Sequence, residues 1–467
     1  MDDKRKIDPT ILRKYDIRGI VGKNFNVGEL RSFGRGFGSI VKDLMEPDAT
    51  PSVAVGYDGR FSSVEFSNAV CAGLMASGIN VKNIGCGPTP LLYYATKQLN
   101  TDAGVMITGS HNPPNYNGLK LVLSDKPFFG DDIQDLGKRI EAGDFYEGHG
   151  DITHCNIELD YIGRLLEDFS GKKDLNVAWD PGNGSSGKIV QKLIKRLPGK
   201  HILINEKIDG GFPAHHPDPT IENNLAQLKS LVIENDCDLG IGFDGDGDRI
   251  GIVDSKGRVI WGDQILILLA RDVLKTRPGE VIIADVKASR VFFDEIVKAG
   301  GKPMMWAAGH SLIKNKMMET NAPLAGEMSG HIFFADKYFG YDDAIYAAIR
   351  LLTILSNTDQ SLTKMYDDLP KMLNTPELLI DCPEERKFNV IKEIKNRLSD
   401  LKNNTVYDID GVRVESKEGW WLIRASNTQA ALVARCESDN EHGLLLLKKQ
   451  VRDHLTASGI KLSNHLI

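Results

Sequence analysis

Short apolar runs alternate with polar, glycine-rich turns along the first three quarters of the chain. Val53-Ala54-Val55, Val105-Met106-Ile107, Val177-Ala178-Trp179 and Val281-Ile282-Ile283-Ala284 are such runs, as is the stretch 81–84. Runs of this length bounded by turns read as buried strands. Between them the apolar spacing changes to a helical period, as over 64–76, with Ser62-Ser63-Val64-Glu65 expected to form an N-terminal cap. The β-α-β-α-β rhythm predicts a largely parallel sheet covered by helices. Asp58, Asp180 and Asp285 each close an apolar strand, which suggests three similar units in tandem. The region after about residue 370 differs. A helical stretch, 384–398, is followed by grouped strands at 406–414, 420–424 and 430–436 and a closing helix. The expected organisation is α/β: three tandem mixed α/β sheet units over 1–152, 153–255 and 256–369, then a smaller α+β unit over 370–467.

At 467 residues the chain has room for three to four domains, and 41% hydrophobic with 26% charged residues is ordinary for a soluble globular protein. A net charge of −7 and a pI near 5.9 disfavour nucleic acid as a partner. The six cysteines are dispersed, with no Cys-x-x-Cys pair. That argues against structural zinc or a disulfide scaffold and fits a reducing, cytoplasmic setting. Met1-Asp2-Asp3-Lys4-Arg5-Lys6 leads into no apolar segment, so no signal peptide is expected, and the longest apolar run, 265–270, is too short to span a membrane.

Four loops carry the candidate chemistry. The strand 105–107 stops at Thr108-Gly109-Ser110-His111-Asn112-Pro113-Pro114, where two prolines forbid continuation of strand or helix. This leaves one serine hydroxyl on a rigid loop at a strand end, with His111 adjacent and Lys120 on the next apolar run; the same residues would also make a plain turn. In 239–251, Asp244, Asp246 and Asp248 alternate with glycines after an apolar strand. Three carboxylates so close repel unless a cation neutralises them, and hard oxygen ligands suit Mg²⁺. Arg249 follows and would face an anion held there. His310, after Gly309 at a loop-to-helix entry, has the pKa range for proton transfer. Glu327, Ser329 and His331 alternate in a glycine-bounded loop suited to sugar hydroxyls. Arg424, Ser426, Asn427 and Thr428 follow a strand and offer a bidentate donor, hydroxyls and an amide for phosphate. Two other motifs compete for attention. Gly182-Asn183-Gly184-Ser185-Ser186-Gly187-Lys188 fits nucleotide-loop patterns, but Ile189 stands where a Walker loop needs Ser or Thr; tight strand-to-helix packing is the other reading. His215-His216 resembles a metal pair without a third ligand at typical spacing. Together, an activated serine, a Mg²⁺ site, a polyol-reading loop and a phosphate clamp point to phosphoryl transfer on a phosphorylated sugar.

The loops 108–114, 244–249, 326–331 and 424–428, in this order, resemble the four signature loops of the α-D-phosphohexomutase superfamily. Glu327-Met328-Ser329-Gly330-His331 most resembles the phosphomannomutase/phosphoglucomutase branch. The resemblance implies four domains around a central cleft. It implies Ser110 as a phosphoserine bridged by Mg²⁺ to Asp244, Asp246 and Asp248, and a hexose 1,6-bisphosphate intermediate between hexose 6-phosphate and hexose 1-phosphate. By position, Arg18, Lys120, Arg249, Lys287 and His310 match the family's charge-stabilising and acid–base positions, and Tyr15 lies beside Arg18. Ala288-Ser289 and Gln429-Ala430 depart from common family pairs. A monomer or weak dimer is expected, with no membrane partner. Glu327 and Ser329 are expected to read hydroxyls shared by mannose and glucose, so both hexoses should be used and N-acetylated amino sugars poorly. Phosphoglucosamine mutase, whose third loop usually carries Gln before the Ser, and a catalytically dead sugar-phosphate-binding homologue are the alternatives.

Overall fold

In a computed structural model describing residues 7–46, 49–124, 126–398, 404–426 and 430–462, the apolar runs form the strands of four sheets. In the first, Ser52–Tyr57 lies between Asn80–Cys86 and Ala103–Ile107, all parallel. Tyr116–Leu123 then returns antiparallel beside Ala103–Ile107 and carries Ile17–Ile20 on its outer side. The second sheet repeats the plan: Leu175–Asp180 lies between Gly199–Leu203 and Leu239–Phe243, and Ile250–Asp254 returns antiparallel. So does the third, with Val281–Asp285 between Lys302–Trp306 and Leu324–Gly326, and Ile332–Phe334 antiparallel. The tandem units are therefore mixed rather than largely parallel sheets. The serine loop, the acidic loop and the Glu327 loop occupy one equivalent place, the turn from the last parallel strand to its antiparallel neighbour. Such turns lie at the carboxyl ends of parallel strands, where α/β sheets bind ligands.

The fourth sheet is antiparallel, and Gly419–Ala425 and Ala431–Ser438 flank the Arg424 loop. Helices Glu384–Leu398 and Glu441–Ala457 pack on it through Val390, Ile394, Leu447 and Val451. The strand expected over 406–414 is broken into Thr405–Tyr407 and Val412–Ser416, because the chain turns at Gly411 with φ +82°. The expected capping box at Ser62 also does not form. The helix Ser63–Ala76 starts without a side-chain cap: the hydroxyl of its N-cap residue, Ser62, accepts from Asn117 Nδ2 at 2.8 Å instead.

One continuous apolar cluster fixes the first three sheets relative to one another. It runs from Leu91, Leu92 and Met106 through Trp179 and Phe243 to Leu266, Ile345 and Tyr346. The fourth sheet docks on the third through a small apolar cluster of Val286, Trp420 and Leu422 and through polar contacts around it. Buried Arg413, stacked 3.8 Å from the Trp420 ring centroid, donates to the carbonyls of Val286 (2.8 Å) and Ala288 (2.7 Å). Arg435 donates to the carbonyl of Lys287 between them. The backbone around Lys287 is thus held from the fourth sheet. Among the described residues, no helix is long and apolar enough to cross a membrane.

Arg413→Met should leave those two buried carbonyls unsatisfied and destabilise the docked fourth sheet by about 3 kcal/mol. Denaturant unfolding followed by tryptophan fluorescence checks this. An unchanged first transition would show that the docking does not depend on Arg413.

Candidate active site

Ser110 sits in a left-handed backbone conformation, φ +49°, on a loop with little freedom. Its amide donates to Thr108 Oγ1 at 2.8 Å, and its hydroxyl lies 3.1 Å from both Asp244 Oδ2 and His111 Nδ1. Arg18, from the first strand, donates to the carbonyl of Gly109 at 2.9 Å and also bonds Asn112 and Asp16. Burial, then the charges of Arg249 and Arg18, holds His111 well below the usual histidine pKa.

The three carboxylates of the acidic loop are fully buried and can each offer one oxygen, all within 4.8 Å of one another. At such spacing each ionised pair repels by about 3–4 kcal/mol even at an effective dielectric constant of ~20. Lys120 supplies part of the answer: its ammonium bonds Asp246 Oδ2 at 2.7 Å and also Asp248. Thr89, opening a helix of the first sheet, adds a 2.5 Å hydrogen bond to Asp246 Oδ2. Burial alone would raise Asp246, but Lys120 and these donors hold it well below the carboxylate range. Asp244 is pushed well above that range by burial and by the charges of Asp246 and Asp248. One lysine therefore does not neutralise the cluster. Asp246 Oδ1 and Asp248 Oδ1 are buried without hydrogen-bond partners, and Asp244 Oδ2 faces Ser110. An all-oxygen donor set with such open atoms fits a hard divalent cation.

The other loops join this centre. Arg249 pairs with His331 in a β-bridge, and Arg249 Nε donates to His331 Nε2 at 3.0 Å. That assignment leaves the His331 proton on Nδ1, which lies 3.0 Å from buried Asp342 Oδ2. Asp342 Oδ1 accepts from Lys314 at 3.0 Å. The His310 ring lies 5.6 Å from the His331 ring, centroid to centroid. Burial and nearby Lys314 hold His310 well below its usual pKa, which favours its neutral form. Glu327 Oε1 accepts from the Gly309 amide at 2.7 Å, Tyr15 donates to the Ala308 carbonyl at 2.7 Å, and half-buried Ser329 lies on the same turn as Glu327. Lys287 Nζ lies 3.0 Å from Glu377 Oε1. Arg424 pairs with Asp410, whose other contact is the Ala308 amide, and buried Ser426 closes the hairpin by donating its amide to Ala431. Asn427 and Thr428 lie outside the described residues. The two competing motifs are structural. A Cβ on Gly184 would sit 2.8 Å from the Gly245 carbonyl, so this glycine lets the turn pack under the acidic loop. His215 is taken up by Asp180, 2.8 Å away.

All four consecutive segments match models of one family, described as phosphoglucomutase/phosphomannomutase alpha/beta/alpha domains I (9–147), II (159–257) and III (261–373) and C-terminal domain (377–454). The chain belongs to the phosphoglucomutase/phosphomannomutase family. As such it is a phosphohexomutase of the α-D-phosphohexomutase superfamily. It is 43% identical over 448 residues to a phosphomannomutase/phosphoglucomutase of Pseudomonas aeruginosa, covering 96% of each chain. It is 40% identical over 434 residues to a phosphoglucomutase of Neisseria gonorrhoeae, covering 92% of this chain and 93% of that protein. A crystal structure of a phosphoglucomutase/phosphomannomutase family protein from Burkholderia thailandensis superposes with a TM-score of 0.91 at 38% identity, over 98% of this chain and 99% of that one.

This phosphohexomutase places beside its loops several residues that the motifs did not reveal: Thr89, Lys314, Asp342 and the Asp58–Arg60 pair. Only Asp58 left a sequence signal, as one of three aspartates closing equivalent strands. Asp58 accepts an amide from Gly109 of the serine loop (3.0 Å) and Asp285 from Met328 of the Glu327 loop (3.3 Å), whereas Asp180 accepts from Gly182 in its own turn (2.9 Å).

Lys120→Met should leave Asp246 and Asp248 without their cation and lower the melting temperature of metal-free protein by several degrees. Added Mg²⁺ should then raise the melting temperature of the variant more than that of the parent. An equal Mg²⁺-dependent shift in both proteins would refute the shared neutralisation.

Proposed function

We propose that the chain interconverts hexose 6-phosphate and hexose 1-phosphate, with mannose and glucose as the hexoses, through a phosphoryl group carried on Ser110. The observation that carries this reading is the Ser110 hydroxyl held 3.1 Å from Asp244 Oδ2, at the edge of a buried, incompletely neutralised carboxylate cluster. Asp244, Asp246 and Asp248 are the residues to hold Mg²⁺, which when bound supplies neutralisation of charge on the phosphoryl oxygens. The phosphoryl group leaves Ser110 Oγ as its bond to the sugar hydroxyl oxygen forms. Neutral His310 is the group available to take the proton of that hydroxyl, while Lys120, Arg18 and Arg249 add fixed positive charge around the serine loop. The bisphosphorylated sugar then presents its other phosphate, which returns to Ser110. His111, beside the serine, and His331, held by Arg249 and Asp342, line the same approach. Lys287 and Arg424, now paired with Glu377 and Asp410, are the cations to grip the phosphate that is not reacting, with Ser426, Asn427 and Thr428.

Glu327 and Ser329, beside Tyr15 and Gly309, are positioned to read the sugar. A sugar bound in two opposite directions must be held by hydroxyls common to both poses, most simply O3 and O4. The C2 configuration that separates mannose from glucose is then weakly read. The Met before Ser329, where amino-sugar mutases usually carry Gln, favours neutral hexoses over glucosamine phosphate.

Coupled assays on mannose, glucose and N-acetylglucosamine phosphates test the proposal. Both hexoses should turn over, the N-acetylated sugar poorly, and Ser110→Ala should lose turnover by orders of magnitude. Glu327→Ala should reduce kcat/KM for both hexoses alike. A loss of ~100-fold for one hexose with the other unchanged would break the shared-hydroxyl account.

A further inference from the structure

Arg60 belongs to none of the four signature loops, yet its side chain is buried and its guanidinium is spent on the serine loop. Nη2 donates to the carbonyls of Ser110 (2.7 Å) and Asn112 (2.6 Å). Nη1 donates to those of Pro113 (2.6 Å) and Tyr116 (3.0 Å). Nε donates to Asp58 Oδ2 at 3.1 Å. These contacts use the whole donor fork of an arginine. Asp58 Oδ2 also accepts from the Gly109 amide (3.0 Å) and from Thr108 Oγ1 (2.8 Å), so the pair holds the loop before and after Ser110.

The guanidinium is closely packed. A Cβ on Gly109 would fall 2.4 Å from Arg60 Cζ, so only glycine lets that plane close against the loop. Phe212, from the second unit, covers the guanidinium with its ring centroid 5.2 Å away. Gly59 is met in the same way by Ile208, whose Cγ2 would lie 2.2 Å from an added Cβ. The clamp on the serine loop is therefore sealed by the unit that carries the acidic loop.

Ser110 adopts a backbone conformation that residues other than glycine disfavour. Backbone relaxation would swing its hydroxyl away from Asp244. We propose that Arg60 is a positioning residue for phosphoryl transfer: by holding the carbonyls of Ser110, Asn112, Pro113 and Tyr116, it fixes Ser110 Oγ in line with the acidic loop. The inference rests on the reading of Ser110 as the phosphoryl carrier. Lysine cannot replace this arginine, because one ammonium donates from a single point and cannot span four carbonyls and a carboxylate.

Arg60→Lys should fold, keep its KM for hexose phosphate within about threefold and lose about 100-fold in kcat, as a displacement near 1 Å does to a reacting group. Methylguanidinium added to Arg60→Ala should restore part of the lost kcat, and should do nothing for Arg60→Lys, where the lysine fills the space. Hydrogen exchange at amides 109–112 should be faster in Arg60→Lys than in the parent, an effect that needs no turnover. Parental kcat in Arg60→Lys, a loss carried by KM, or unchanged exchange across 109–112 would overturn the positioning role. A parent without mutase activity would instead sink the functional reading, and the exchange comparison would still decide whether Arg60 clamps the loop.

Discussion

Carboxylates buried within 4.8 Å of one another have to be neutralised, and the site is built around meeting that demand from a neighbouring sheet. Asp244, Asp246 and Asp248 stand on the second sheet, whereas Lys120, Thr89 and Ser110 come from the first. The cluster can exist only if the two sheets keep their mutual placement. The apolar core running through the first three sheets provides that rigidity, and the hydrogen bonds crossing it provide register. The neutralisation is incomplete: Asp246 Oδ1 and Asp248 Oδ1 are buried without hydrogen-bond partners, an arrangement that would fit a divalent cation.

The same supersecondary device is used at each loop. A parallel strand ends, a short loop projects its polar side chains, and an antiparallel strand returns. In the first and third sheets a neighbouring strand closes on an aspartate that accepts an amide from that loop. Repetition of this hairpin places Ser110, the carboxylates of Asp244, Asp246 and Asp248, and Glu327 with Ser329 at equivalent strand ends. The fourth sheet reaches a comparable result with a purely antiparallel hairpin. Its docking through Arg413 and Arg435 onto carbonyls flanking Lys287 ties the Arg424 loop to the third sheet.

Much of this was legible in the sequence because the loops are local. Alternating Asp and Gly after a strand, or Ser between Gly and Pro-Pro, states both residue chemistry and backbone geometry within a few positions. The antiparallel return strands were harder to read, since Ile250–Asp254 resembles its neighbour Leu239–Phe243 in apolar character and direction leaves no trace in composition. The break at Gly411 did carry a signal, the turn dipeptide Asp410-Gly411, which the expected strand over 406–414 ran through. Asp342, Lys314 and Arg60 were missed for a different reason. Their partners lie far along the chain, as Arg60 does from Tyr116 and Lys314 from Tyr93, so no spacing rule brings them together.

Ser110 is proposed as the carrier of the phosphoryl group because its hydroxyl faces Asp244 at the edge of the buried carboxylate cluster. The most direct measurement is peptide mass mapping of the protein after incubation with a hexose 1,6-bisphosphate and Mg²⁺, before and after a chase with hexose monophosphate. Phosphate should be found on Ser110 and should leave it during the chase. Phosphate confined to another residue, or turnover of substrate with Ser110 never modified, would contradict the account.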